Sequence, residues 1–163
     1  MENSSKPAYP APLDAIVLAG TDSNPKRMIE GQNKAFLEVG SQVLVRRVAE
    51  ALLGASTIGK VFVVGPEERL RKALGGLPGE VIIVEQAGQL LSNAWAAIIA
   101  SEARHREHGG SDDPLRPLLF ISSDLPLISP VVVDDFVSRC ARQEGKTGIK
   151  YSMAAGVAEE ASL

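Results

Sequence analysis

Two groups of side chains could act together on a phosphate. The first is a polar stretch carrying Gly20, Thr21, Ser23, Lys26, Arg27 and Lys34, which follows the apolar run Ala15, Ile16, Val17, Leu18. The second is Asp124, just beyond the apolar run from Leu118 to Ile121. A loop rich in backbone donors and cations holds phosphate oxygens, because it sets positive charge against a polyanion. A single carboxylate at a second strand end suits Mg²⁺, which is usually held by one or two carboxylates with water and phosphate oxygens completing its shell. Together the two groups suit a nucleoside triphosphate and a divalent metal. Against this stands the simpler reading of each: a Lys/Arg-bearing loop is commonly just solvated, and Asp124 could cap the turn before Pro126. The placement of both groups after apolar strands favours the chemical reading, since ligands of open α/β sheets collect at the carboxyl ends of strands.

The elements that must position these residues can be read in order. The apolar run Ala15 to Leu18 reads as a buried strand, and Lys34 to Val39 as a short extended segment ending at Gly40. Ser41 then caps a helix running to about Gly54, with Leu44, Val48, Ala51 and Leu52 on one face. Lys60 to Val64 is a second strand, Glu67 to Leu74 a short charged helix, and Val81 to Val84 a third strand suited to burial on both faces. The longest helix spans Gln89 to about His108, with Leu91, Ala94, Trp95 and Ile98 as its expected buried stripe. Leu118 to Ile121 is a fourth strand. Ser129–Pro130 opens a last helix whose inner face carries Val133, Phe136, Val137 and Cys140. Apolar strands alternating with helices mean an α/β domain with a mostly parallel sheet.

Composition narrows the function classes. The chain has 163 residues, enough for one domain with a real core, and its formal net charge of −3 argues against general nucleic-acid binding. Cys140 is the only cysteine, so no internal disulfide forms, which fits a cytoplasmic protein. No apolar run reaches the length needed to span a bilayer. Residues 1–11 read as a disordered tail, with residues 12–163 as the domain.

Generic phosphate motifs do not account for the loop. It lacks the G-x-x-x-x-G-K-[ST] pattern, and no second glycine follows Gly20 to make G-x-G-x-x-G. What it resembles is the nucleotidyltransferase superfamily of the nucleotide-diphospho-sugar transferase fold, in particular its molybdenum-cofactor guanylyltransferase-like and cytidylyltransferase branch. The resemblance rests on Leu18-Ala19-Gly20, then Arg27-Met28, then Lys34-Ala35-Phe36-Leu37-Glu38-Val39-Gly40. It continues in the strand that ends Asp124-Leu125-Pro126 and, more weakly, in the segment Gly88 to Ala94.

The resemblance implies a Rossmann-like three-layer α/β/α sandwich that is C-terminally incomplete in this chain. It implies that the backbone of Leu18, Ala19, Gly20 and Thr21 meets the nucleotide, with Ser92 and Asn93 against the base. Arg27 would steady the departing pyrophosphate, Lys34 would offset charge on the α-phosphate, and Asp124 would bind Mg²⁺. The implied reaction transfers an NMP unit from a nucleoside triphosphate to a small phosphorylated acceptor or cofactor. Thr21 stands where the family has a second glycine, and its Cβ disfavours the backbone that glycine permits. The family's second metal carboxylate and acceptor-binding segments would lie beyond Leu163. That leaves a non-catalytic nucleotide-binding or regulatory module as the alternative, and an unpaired sheet edge that would allow pairing with a second copy.

Overall fold

The computed structural model describes residue 9 and residues 11–20, 33–111 and 116–147. Four strands make one parallel sheet: β1 (Leu13–Leu18), β4 (Ile58–Gly65), β5 (Val81–Glu85) and β6 (Leu118–Ser122). Their spatial order is β5-β4-β1-β6, every neighbouring pair parallel. Strand β1 therefore lies inside the sheet, with β4 on one side and β6 on the other. The chain builds outward from β1 through β4 to β5 and then crosses back to place β6 against β1. The carboxyl ends of β1 and β6 form a switch point, where an open α/β sheet leaves a crevice.

Alternation along the strands explains the two layers of core. Ala15 and Val17 of β1 and Val61 and Val63 of β4 face one side. There they meet α1 (Leu44–Gly54), α2 (Glu67–Leu74) and α4 (Pro130–Thr147) through Val45, Val48, Leu52, Leu70, Val133 and Val137. Ile16, Phe62 and Val64 face the other side and meet α3 (Leu90–Glu107) through Ala97. The three-layer α/β/α arrangement follows directly from strands apolar on both faces.

Four local expectations change. Lys34 to Val39 is not one extended segment: Lys34–Phe36 is a turn of 3₁₀ helix, followed by β2 (Glu38–Val39). Ser41 does not cap a helix; it sits with Gly40, at φ +66°, in the turn of a hairpin whose second strand is β3 (Gln42–Val43). Helix α1 starts after that hairpin with no side-chain cap at Val43. Strand β5 is only half-buried, because it lies at the sheet edge rather than inside it.

The fourth change is the buried face of α3. It is Asn93, Ala97 and Ser101, while Trp95 is 64% exposed and Leu91 79%. Small residues face the sheet, and the polar ones have partners there. Ser101 Oγ donates to Asp14 Oδ2 at 2.7 Å, and Arg116 closes the network with bonds to both Asp14 and Ser101. Buried polar groups are affordable when all are paired in this way. Cys140 is a half-buried free thiol, pushed up by burial and then by the Glu144 carboxylate, in keeping with an inert role. Tyr9, within the expected tail, packs partly buried against the main core. Burial and then Glu144 raise its phenol to about 12.

Helix α4 is tied to the sheet layer by one carboxylate. Asp134 accepts from the backbone N–H and hydroxyl of Ser56 (3.1 and 3.0 Å) and of Thr57 (2.8 and 2.6 Å). Burial pushes its carboxyl up, but the bonds from Thr57 and then Ser56 outweigh this and hold it below the usual carboxylate range. A carboxyl depressed in the folded state contributes stability that is complete above its unfolded pKa, near 4, and lost as pH falls through the folded value. Asp134→Ala is expected to cost about 2 kcal/mol at pH 7. Urea unfolding of both proteins at pH 7 and near pH 3 should show that gap narrowing in acid. A gap independent of pH would contradict this account of Asp134.

Candidate active site

The site is built where the parallel strands empty side by side, with β1 between β4 and β6. Ala19 N–H continues the ladder past β1 by donating to Val64 O at 2.8 Å. Gly65 lies so close that a Cβ there would be 2.8 Å from Ala19 O. Gln86 N–H donates to Gly65 O at 3.3 Å, drawing the loop after β5 alongside. Glycine at Gly65 is thus a requirement of close backbone approach, not of turn geometry.

Asn33 braces the start of the loop. Its Nδ2 donates to Ala19 O and Gly20 O at 3.0 and 3.1 Å, and its Oδ1 accepts from Ala35 N–H at 3.0 Å. One side chain therefore fastens the end of β1 to the 3₁₀ turn that carries Lys34. Sequence reasoning missed Asn33. The available signal was an asparagine immediately before a short helical turn, where a side-chain cap is favoured.

On the other side, Asn93 sits against Gly20: a Cβ on Gly20 would come within 2.4 Å of Asn93 Nδ2. Asn93 is 4% exposed, and its amide is engaged in the β5–α3 loop. Its Oδ1 accepts from Ala87 N–H at 2.7 Å and its Nδ2 donates to Gly88 O at 3.4 Å. The structure thus gives Asn93 the task of shaping this loop beside Gly20. Gly88, at φ +122°, makes the bend that a side chain would strain. Ser92 stands exposed on the first turn of α3. Leu18 and Ala19 line the end of β1, with Ala19 fully covered.

Across the switch point, Lys34 Nζ lies 3.8 Å from Asp124 Oδ2. Both are accessible, at 45% and 34%. Asp124 Oδ1 also takes a short hydrogen bond from Ser122 Oγ at the end of β6. The cation and the carboxylate singled out far apart in the sequence are therefore neighbours. Arg27 and Thr21, with the rest of the loop from residue 21 to 32, lie outside the described residues.

Among the described residues no cluster of three or more His, Cys, Asp or Glu could enclose a metal ion. Asp124 is a single accessible carboxylate, the kind of donor that Mg²⁺ takes together with water and phosphate oxygens. His108, one of a histidine pair at the end of α3, has its Nδ1 2.8 Å from Arg104 O, so it belongs to the helix terminus. No described helix is long and apolar enough to cross a membrane.

Comparison with known proteins bears on the family and the fold. The profile of the MobA-like NTP transferase domain matches residues 15–157. A 2-C-methyl-D-erythritol 4-phosphate cytidylyltransferase of Rhodococcus jostii is 28% identical over 76 residues, 47% of this chain and 34% of that protein. One from Rhodococcus opacus is 28% identical over 80 residues, 48% and 35%. The crystal structure of 4-diphosphocytidyl-2C-methyl-D-erythritol synthase from Anaerococcus prevotii superposes with a TM-score of 0.58 at 14% identity, over 81% of this chain and 52% of that one. A CMP:2-keto-3-deoxy-manno-octonic acid synthetase solved with CTP gives 0.54 at 16% identity, over 83% and 48%. At such identities the structural matches establish a shared fold, and the chain spans about a third to a half of the length of these relatives. The profile match over most of the chain assigns the protein to the MobA-like NTP transferase domain family.

Proposed function

We propose that the crevice at the carboxyl ends of β1 and β6 binds a nucleoside triphosphate with Mg²⁺ and supports transfer of its NMP unit to a small phosphorylated acceptor. The observation that carries this reading is the approach of Lys34 to Asp124 across the switch point. An acceptor phosphate oxygen attacks the α-phosphorus while the bond from that phosphorus to the bridging oxygen breaks, and pyrophosphate leaves. The acid–base demand is small, so positioning and neutralisation of charge carry the rate.

Lys34 Nζ offsets charge gathering on the α-phosphate oxygens, and Arg27 steadies the leaving pyrophosphate. The backbone at Leu18, Ala19, Gly20 and Thr21 lies along the nucleotide, with Ser92 and the loop that Asn93 shapes beside the base. Asp124 would hold Mg²⁺, which when bound neutralises phosphate charge. The Lys34–Asp124 ion pair keeps both groups close to where they are needed. A cytoplasmic setting suits a protein whose one cysteine is a free thiol.

The Rhodococcus relatives are named for a cytidylyl transfer to 2-C-methyl-D-erythritol 4-phosphate, so CTP and that sugar-alcohol phosphate are the first pair to try. Calorimetric binding of CTP, GTP, ATP and UTP with and without Mg²⁺, followed by pyrophosphate release with the acceptor, tests the reading. Metal-dependent binding of one triphosphate with release of pyrophosphate is expected. Binding of none would overturn it, and binding without release with any phosphorylated acceptor would make the protein a nucleotide-binding module.

A further inference from the structure

A second concavity lies between the β2–β3 hairpin, the start of α1 and one side of α2, with Phe36 of the 3₁₀ turn in its wall. Its volume is about 700 Å³, and Arg46, Arg47, Arg69 and Lys72 line it with Glu38 as the one carboxylate. None of the residues placed in the nucleotide crevice lines it. Arg69 and Lys72 are three apart on α2 and so share a face. Arg46 and Arg47 come from the first turn of α1, and packing of α1 against α2 brings the two pairs together.

The four cations do not have equivalent roles. Arg46 is structural: its Nε donates to Glu50 at 3.1 Å, and its Nη1 to the Ala73 and Gly75 carbonyls at 3.1 and 2.8 Å, closing the end of α2. Arg47 Nη2 donates to Val39 O at 2.6 Å, while its Nε is buried with no partner. The Arg69 guanidinium lies 4.0 Å from the centre of the Phe36 ring. Stacking on that ring fixes the plane of the guanidinium and leaves its edge donors available for bidentate contact. Neither Arg69 nor Lys72 has an ion pair or hydrogen bond among the described residues. Elsewhere several surface cations find carboxylates: Arg71 pairs with Glu67 on the same helix, Arg104 with Glu80 and Arg139 with Asp135.

Cations gathered in a cleft repel one another and focus a positive potential on its interior. We propose that this cavity is a second anion site, taking a small ligand through a di- or triphosphate group. The planar edge of Arg69 and the point charge of Lys72 grip the phosphates, and Arg46 holds the two helices at the spacing this requires. A phosphate chain fits better than a carboxylate, since it offers oxygens to several separated donors at once. The site stands independently of the nucleotide crevice and of the activity proposed for it.

Inorganic tripolyphosphate is a suitable probe, titrated by calorimetry into the full chain at low salt without Mg²⁺. Wild type and Lys34→Ala should bind it alike, whereas Arg69→Ala/Lys72→Ala should bind about tenfold or more weakly. The charge-keeping Arg69→Lys/Lys72→Arg variant should recover most of the affinity, which separates lost charge from lost fold. In ¹H–¹⁵N spectra the amides of residues 36–47 and 69–75 should shift on titration. Absence of binding to wild type would overturn the proposal. So would binding that survives Arg69→Ala/Lys72→Ala and disappears in Lys34→Ala.

Discussion

Replacing Lys34 by alanine should lower nucleotide transfer by about 10²- to 10³-fold, the usual cost of deleting one group aimed at developing phosphate or oxyanion charge. The fold should not notice. Lys34 is 45% exposed, and its ion pair with Asp124 is a surface pair worth at most about 1 kcal/mol. The turn that carries it is held by Asn33 and by backbone bonds from Phe36 and Leu37, none of which involves the lysine side chain. The loss should fall on kcat more than on triphosphate binding, because the charge it offsets grows as the α-phosphorus is attacked. Steady-state pyrophosphate release, with thermal unfolding measured in parallel, checks both halves. Turnover within threefold of wild type would remove Lys34 from the mechanism. A large fall in melting temperature would recast it as structural.

Asp124→Asn should have a comparable or larger effect, about 10³-fold, and should also remove the dependence of the residual rate on Mg²⁺. Asparagine keeps the size of the side chain and can still accept from Ser122, so the end of β6 should stay in place. What goes is the negative charge that attracts the metal. Metal titration by calorimetry in the presence of a non-hydrolysable triphosphate is the direct reading. Wild type should show a saturating metal isotherm that the variant lacks. The two changes meet at one reacting group, so Lys34→Ala/Asp124→Asn should be far less damaging than the product of the single effects. Metal affinity unchanged by Asp124→Asn would mean that the ion sits on other groups.

Much of the layer structure is legible locally. Apolar runs such as Ala15 to Leu18 and Val61 to Val64 have no polar face, so they could only be strands covered on both sides. Helix α2 is bounded by Pro66 before it and Gly75 after it, and its limits follow from those residues. The hairpin at Gly40 was hidden because each of its strands is two residues long, too short for any period to register. Helix α3 misled for the opposite reason. It carries apolar residues around most of its circumference, and periodicity cannot choose between faces in that case. The choice fell to the sheet, which admits Ala97 over Ile16 and Phe62 and leaves Trp95 outside. Asn93 and Ser101 could be buried only because each has a partner, Ala87 in the loop just before α3 for Asn93 and Asp14 from the far end of the chain for Ser101.

The alternation of the four sheet strands with helices is legible in the amino-acid sequence, as is the placing of Gly20 and Asp124 just past strand ends, with Lys34 further on, in the turn before β2. Those features depend on residue type and on neighbours a few positions away. That β6 lies against β1 rather than beside β5, and so that Asp124 stands 3.8 Å from Lys34, comes from the packing of the whole fold. Strand order is a choice among long-range pairings of similarly apolar strands, settled by how the helices pack over the whole sheet. It is that choice, more than any single residue, that turns two separate signals into one site.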